Sequence, residues 1–225
     1  MISLPGIVAW LGLAIVLLQH PLSDTKPSDP FARWEKTIVA LEQQQKQQGI
    51  RAGGIVFAGS STIRLWKLAE HFPNLSLVNS GFGGSQIRDC THFAPRIILP
   101  HKPRQIVFYA GDNDIQAGRT PKQVLADFQA FVRAVHEQLP KCQILFLSIK
   151  PSLRRWEQRD KQKQANEMIQ TYCQQDDRLV FVDIVSEMLD QDGRPDPSLF
   201  VKDGLHLSPK GYQRWANRLV PHLQP

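Results

Sequence analysis

Short apolar runs alternate with amphipathic segments along most of the chain. Runs rich in Val, Ile, Leu and Phe occur at residues 54–59, 75–79, 105–111, 143–149 and 178–184. Each run is apolar at consecutive positions, which is typical of strands covered on both faces. Apolar residues at helical spacing predict helices at 31–49, 121–139, about 156–174 and from Pro209 onward. This alternation predicts a single α/β domain with a five-stranded parallel sheet between two layers of helices.

The N-terminus differs from this pattern. Residues 1–19 contain no charged side chain, and as a helix they would rise about 28 Å, close to the thickness of a bilayer core. We expect a signal peptide or a membrane anchor, which would place the protein outside the cytoplasm or on a membrane. Without Lys or Arg at its start or a clean cleavage site, the segment favours an anchor or an atypical signal. The alternative is a buried core helix in a cytoplasmic protein. The Pro-rich residues 20–29 read as a linker, so the domain spans residues 30–225.

Composition and charge exclude several classes of protein. The chain has 225 residues, of which 42% are apolar, enough for one domain with a substantial core. The net charge of +6 comes from scattered basic residues, and no basic run with interleaved aromatics predicts nucleic-acid binding. Three cysteines without a C-x-x-C pair exclude a disulfide scaffold and a cysteine zinc site. The oligomeric state is left open.

Polar and glycine-rich residues follow several of the predicted strands. In a parallel sheet, ligands bind outside the carboxyl ends of the strands, so these segments should meet at one edge. Gly59-Ser60-Ser61 follows the first run and Asn79 to Ser85 the second. Gly111 to Asp114 follows the third, and Asp203 and His206 come after the fifth, just before the last helix.

These residues supply the parts of a serine hydrolase. Such an enzyme needs a nucleophile, a base within hydrogen-bond reach, a group that orients the base, and donors for the developing oxyanion. Ser61 can serve as the nucleophile, with His206 as the base and Asp203 as the group that fixes its tautomer. Gly84 can bring a backbone N–H close to the reacting carbonyl, and Asn113 can add an amide donor.

Four segments, "FAGSST", "NSGFGG", "YAGDND" and "DGLH", resemble the four sequence blocks of the SGNH hydrolases, the GDSL-like lipase/esterase family. The blocks occur in the family's order over residues 54–222. The resemblance implies a three-layer α/β/α sandwich of flavodoxin-like topology. The sequence departs from the family's pattern in one place, because Ser60 occupies the position of the family's namesake aspartate.

The resemblance also implies roles for individual residues. Ser61, Asp203 and His206 would form the catalytic triad, and the oxyanion hole would consist of the N–H of Ser61, the N–H of Gly84 and the side-chain amide of Asn113. The implied activity is hydrolysis of carboxylic esters, with a small acyl group such as acetyl preferred, and no cofactor or metal is required. The substrate would be a small-molecule, glycan or lipid ester.

Two other functions use the same segments differently. Asp112, Asp114, Asp203 and His206 could hold metal ions in a metal-dependent phosphoesterase. That class usually has an acidic or histidine ligand after the first strand, where this chain has Ser60-Ser61. A nucleotide-binding module is suggested by the glycines at 81–84, but their spacing does not fit G-x-G-x-x-G.

Overall fold

The computed structural model of the chain describes residues 1–2, 29–49 and 52–224. The N-terminal targeting segment predicted at 1–19 and the linker at 20–29 lie almost wholly outside the described residues, and both stay predictions. No helix in the described ranges is long and apolar enough to span a bilayer.

The predicted α/β fold is confirmed by a five-stranded, all-parallel sheet. The strands are β1 (Ile55–Gly59), β2 (Leu77–Gly81), β3 (Gln105–Tyr109), β4 (Gln143–Leu147) and β5 (Leu179–Val182). They lie side by side in the order β2-β1-β3-β4-β5. The chain therefore winds outward from β1 in both directions, and the loops after β1 and β3 diverge to leave a crevice between them.

The boundaries predicted for the second strand are wrong. We predicted 75–79, but β2 runs from Leu77 to Gly81, so that Asn79 pairs with Phe57 inside the sheet. A polar residue is tolerated there because the Asn79 side chain donates to the carbonyl oxygens of Ile63 (2.8 Å) and Trp66 (3.3 Å). The hydrogen bonds of this side chain come from a distant turn, which the local pattern does not show.

Helices cover both faces of the sheet in the described part of the chain. They are α1 (Glu35–Gln48), α2 (Ser61–Arg64), α3 (Leu68–His71), α4 (Ile87–Ile97), α5 (Asp112–Gln116), α6 (Pro121–Gln138), α7 (Arg159–Cys173) and α8 (Pro209–Leu219). Thr120 begins α6 with a capping box and Pro121 in the first turn, and Ser208 caps α8 by accepting from the Gly211 N–H. The long helices thus begin where the sequence signals place them.

Two apolar clusters hold the layers together. Successive strand residues point to opposite faces of the sheet, so Phe108 and Phe146 pack against α4, α6 and α7 while Tyr109 and Leu147 pack on the other side with Trp215 of α8. The small helices α2 and α3 share this second face through Trp66. This second face holds both Ser61, at the start of α2, and the loop that leads into α8.

Candidate active site

Ser61 is presented at a sharp turn at the end of β1. Gly59 has φ +138°, and a Cβ at this position would overlap the carbonyl of Tyr109 on the neighbouring strand, so a glycine is required there. The Ser60 N–H still donates to the Tyr109 carbonyl (3.0 Å), after which the chain leaves the sheet and α2 starts at Ser61. The backbone N–H of Ser61 thus stands at the first position of a helix, where no helical acceptor exists.

The loop before α8 is folded tightly around Asp203. One carboxylate oxygen, Oδ1, accepts from the backbone N–H groups of Leu205 and His206, both at 2.9 Å. The Val201 N–H donates to the His206 carbonyl (2.9 Å), which closes the loop, and Gly204 takes φ +64° at its tip. The backbone therefore fixes the rotation of the carboxylate and leaves its other oxygen, Oδ2, facing His206.

One chain of hydrogen bonds joins the three side chains. Asp203 Oδ2 lies 2.6 Å from Nδ1 of His206, and Nε2 of the same ring lies 2.9 Å from Oγ of Ser61. Burial raises the pKa of Asp203, but the hydrogen bonds from the His206 ring and from two backbone amides outweigh it and lower the pKa to about 2. An ionised carboxylate in this position holds the proton on Nδ1, so that Nε2 is free to accept the hydroxyl proton of Ser61.

The two other predicted oxyanion donors, Gly84 and Asn113, follow β2 and β3 in the chain. Gly84 is exposed and has φ +75°, a backbone conformation that favours glycine. Asn113, at the second position of α5, donates from Nδ2 to the Ser85 carbonyl (3.0 Å) and accepts at Oδ1 from the guanidinium of Arg155 (3.1 Å). These contacts fix which way the carboxamide points, and its second N–H is left to donate to a ligand.

The carboxylates of the metal-dependent alternative lie in separate surroundings. Asp112 is paired with the buried Lys150 (3.6 Å) and with Arg155 (3.2 Å), while Asp203 faces His206. Across the described ranges, no group of three or more His, Cys, Asp or Glu side chains could hold a metal ion. The positively charged side chains of Lys150 and Arg155 occupy the place where a metal would bind Asp112. The arrangement therefore does not favour a metal-dependent phosphoesterase.

Asp114 is a fully buried carboxyl group directly after Asn113. Its Oδ1 accepts from the Ile87 N–H at the start of α4 (3.0 Å), and its Oδ2 has no partner among the described residues. Burial raises its pKa to about 7, against the effect of that hydrogen bond and with help from the negative charge of Asp112. The side chain links the helix after Gly84 to the helix that carries Asn113.

We therefore expect Asp114 to make the protein less stable as the pH rises. The folded chain retains the Asp114 proton up to pH of about 7, whereas an unfolded Asp loses it near pH 4. Between pH 5 and 8 this group should remove about 2–3 kcal/mol from the free energy of unfolding. Urea denaturation of wild type and Asp114→Asn at both pH values measures that difference, because Asn keeps the acceptor for Ile87 but cannot ionise. The exposed Asp192→Asn is the matched control, and parallel pH curves for wild type and Asp114→Asn would contradict the expectation.

Several residues of the site were missed by the sequence patterns. Arg155 and Lys150 follow β4 at the same sheet edge. The position of that strand in the sequence was a signal that could have identified them. Trp34, just before α1, packs with its ring 3.3 Å from the Cβ position of Gly84, and no local pattern links these two residues. Trp66 and Phe82 lie near Ser61 or Gly84 in the sequence, and both are buried in the core.

Ser60 stands where the family has its namesake aspartate, but its side chain does not tie down the turn. It is buried, and its Oγ has no hydrogen-bond partner in the part of the chain that the structure describes. The turn is tied instead by backbone bonds, since the Ser60 carbonyl accepts from the N–H groups of Ile63 and Arg64 (both 3.1 Å). The turn that presents Ser61 is therefore held without the Ser60 hydroxyl, by these backbone bonds and by side-chain donors such as Asn79 and Tyr212.

Comparisons with known proteins agree with this architecture. The profile of the GDSL-like lipase/acylhydrolase family matches residues 62–214. A protein from Streptococcus pneumonia described provisionally as a platelet activating factor is 25% identical over 85% of this chain and 94% of its own, with a TM-score of 0.73. No curated protein matches the chain.

Two further solved structures share the fold. A GDSL-like lipase from Bacteroides thetaiotaomicron is 18% identical, with 86% of this chain and 96% of its own covered and a TM-score of 0.66. A catalytic mutant of an acetylxylan esterase from Geobacillus stearothermophilus is 15% identical, with 76% and 94% covered and a TM-score of 0.60.

Proposed function

This chain belongs to the GDSL-like lipase/acylhydrolase family and is an ester hydrolase, and we propose that it cleaves carboxylic esters with small acyl groups, using Ser61 as the nucleophile. The observation that carries the proposal is the continuous chain of hydrogen bonds from Asp203 through His206 to Ser61. The substrate is an ester of a small molecule, a glycan or a lipid.

The reaction proceeds in two halves. In the first, Ser61 Oγ attacks the ester carbon while Nε2 of His206 takes the hydroxyl proton, and the tetrahedral intermediate collapses as His206 passes that proton to the departing alcohol oxygen. In the second, water attacks the acyl-enzyme and gives its proton to His206, which returns it to Ser61 Oγ as the acid leaves. Asp203 stays ionised throughout and stabilises the imidazolium.

The developing oxyanion is stabilised by three donors in this proposal. They are the backbone N–H of Ser61, the backbone N–H of Gly84 and the free side-chain N–H of Asn113. Arg155 supports the third donor, because its bond to Asn113 Oδ1 holds the carboxamide in place and its charge polarises the amide. Arg155 and the buried Lys150 both pair with Asp112, and burial lowers the pKa of Lys150, so Arg155 is the cation that acts directly on the third donor.

The preference for a small acyl group rests on Trp34. Its ring lies beside Gly84, 3.3 Å from where a Cβ would stand, and packs edge-on against the buried Phe82 (ring centroids 5.4 Å apart), so the wall beside this donor is an aromatic side chain. An acyl chain whose carbonyl is bound by Gly84 would meet this ring within a few atoms. A solved relative of the same fold is an acetylxylan esterase, whose name fits a small acyl group.

An active-site-directed probe tests the proposal directly. We expect a fluorophosphonate to form one covalent adduct, which peptide mass analysis places on Ser61, and ester hydrolysis to stop as the adduct forms. Ser60→Ala, which removes the neighbouring hydroxyl, should label at the wild-type rate. An adduct on Ser60, or ester hydrolysis that survives full labelling, would disprove the assignment.

Asn113→Ala should lower kcat about 10²–10³-fold with little change in KM. The reason is that the amide N–H bonds most strongly to the oxyanion of the transition state, so its loss affects the chemical step more than substrate binding. Steady-state kinetics on an acetate ester measures both constants. The exposed Asn74→Ala is the matched control, and an effect on KM alone would contradict the role of Asn113.

A further inference from the structure

A groove of about 450 Å³ opens beside His206 and Asp203. Its apolar lining includes Leu65, Val201, Leu207 and Tyr212. The charged part of the rim includes an ion pair between Lys67 and Glu70 (3.1 Å). Gly84 and Asn113, the donors on the other side of Ser61, do not line it.

Backbone hydrogen bonds connect two walls of the groove to the residues Ser61 and His206. The Leu65 N–H donates to the Ser61 carbonyl (2.9 Å), so this side chain stands one helical turn beyond the nucleophile. Across the groove, the Val201 N–H donates to the His206 carbonyl (2.9 Å). At the base, the Tyr212 hydroxyl donates to the Thr62 carbonyl (2.8 Å), which fixes α8 against α2. The spacing between the walls is therefore set by the same bonds that position Ser61 and His206.

The apolar side chains that form the walls of the groove are exposed to solvent. Leu65 and Val201 are 40% and 42% exposed, although folding normally covers such side chains. A third exposed apolar residue, Leu153 (41% exposed), lies outside the groove lining but next to Gly204, in the loop that carries Asp203 and His206. Apolar side chains gathered around a site usually mark a surface that binds an apolar ligand.

The chemistry of the first half-reaction decides which part of the ester enters this groove. His206 must pass its proton to the alcohol oxygen, so that oxygen lies beside Nε2 as the C–O bond breaks. The carbonyl oxygen points the opposite way, toward Gly84 and Asn113. The alcohol portion therefore extends past His206, where the groove begins, and the acyl portion extends toward Trp34.

We propose that the Leu65–Val201 groove is the binding site for the alcohol portion of the ester and that it selects an apolar alcohol. The inference rests on the proposed function, since it takes Ser61 and His206 as the reacting groups. The enzyme would thus combine a small acyl group with an extended apolar leaving group, and the specificity for each would come from opposite sides of Ser61.

Esters that share one acyl group test this assignment. All acetates form the same acetyl-enzyme, so differences in kcat/KM among methyl, butyl and hexyl acetate report only the alcohol portion. Burial of one methylene corresponds to about a fourfold gain when it is complete, and about a twofold gain in an open groove. We expect hexyl acetate to exceed methyl acetate by about 30-fold in kcat/KM, while methyl hexanoate gains nothing over methyl acetate.

Val201→Ser and Leu65→Ser should each lower the hexyl-to-methyl ratio about three- to tenfold. The ratio is measured on one protein sample and does not depend on how much of the sample is folded. Val39→Ser is the matched control, because Val39 is similarly exposed (37%) but lies on α1, and its ratio should equal that of wild type.

Three results would overturn the inference. The first is a hexyl-to-methyl ratio near one in wild type, and the second is a ratio that Val201→Ser leaves unchanged. The third is a gain with acyl length that Val201→Ser abolishes, which would assign the groove to the acyl chain. In each case Ser61-dependent hydrolysis of methyl acetate would leave the proposed function intact. Hydrolysis of methyl acetate by Ser61→Ala at the wild-type rate would instead disprove the proposed function.

Discussion

Ser61→Ala is expected to lower kcat for ester hydrolysis by about 10⁶-fold, the size of effect seen when the nucleophile of a serine triad is removed. The loss is this large because no other hydroxyl can replace it. Ser60, the adjacent candidate, is buried at the end of β1, while His206 Nε2 contacts Ser61 Oγ at 2.9 Å. The substitution removes one oxygen atom from a half-buried side chain, so the fold should be retained.

Initial rates on an acetate ester, with circular dichroism as the check on folding, measure this effect. Ser60→Ala is the matched control and should keep activity within a few-fold of wild type, because its hydroxyl has no hydrogen-bond partner in the described structure. Some rate above that of water should remain in Ser61→Ala from the oxyanion donors and substrate binding. A loss of less than about tenfold would show that another group forms the acyl-enzyme.

Asp203→Asn is expected to lower kcat about 10⁴-fold, as the equivalent change does in a serine protease triad. The structure indicates why the loss should be this severe. Oδ1 of Asp203 accepts two backbone N–H bonds, so an asparagine must keep its oxygen there and place its NH₂ group toward His206. That group donates to Nδ1, which moves the ring proton to Nε2 and leaves no acceptor for the Ser61 hydroxyl.

The kinetics of Asp203→Asn should be measured with and without a chelator and added Zn²⁺ or Mn²⁺. The triad predicts no effect of either addition, whereas a metal centre that uses Asp203 and His206 would lose affinity and recover rate with excess metal. The exposed Asp192→Asn is the control for a neutralised carboxylate. Rescue of Asp203→Asn by metal would contradict the triad and revive the phosphoesterase alternative.

The loss of the Asp203 charge also affects acid stability. Its pKa is about 2 in the folded protein, below the value of an unfolded Asp, so the ionised group stabilises the fold above pH of about 4. That stabilisation is lost as the pH falls from about 4 toward 2. Asp114 acts in the opposite direction, since its raised pKa makes its contribution fall as the pH rises from about 4 to 7. The two carboxyl groups therefore favour folding at different pH values.

Local sequence signals were sufficient for the sheet and the long helices. Short runs rich in apolar residues marked where the five strands lie, because most positions of a strand covered on both faces are apolar. Caps such as Thr120 and Ser208 marked the starts of α6 and α8, because an N-cap side chain bonds to an N–H within its own turn. The end of β2 was wrong because Asn79 finds its partners on a turn about 15 residues away.

The motifs also indicated the family to which the chain belongs, and with it ester hydrolysis. Asp203 and His206 are three residues apart, so one loop holds the two in contact, and the blocks that contain Ser61, Gly84 and Asn113 pointed to the family. The contact between Ser61 and His206 depends on the strand order. The two residues are 145 positions apart in the chain, and they touch because the loops after β1 and before α8 lie at one edge of the sheet.

The surroundings of these groups depend on the packing of segments that are distant in the chain. Arg155 reaches Asn113, Trp34 reaches Gly84, and Leu65 lies across a groove from Val201, yet none of these pairs is close in sequence. Each contact arises from packing between separate elements, and its strength depends on distances and burial that residue order does not encode. The proposed acyl wall, the proposed alcohol groove and the cation beside Asn113 are therefore properties of the fold, because they are produced where distant segments are brought together.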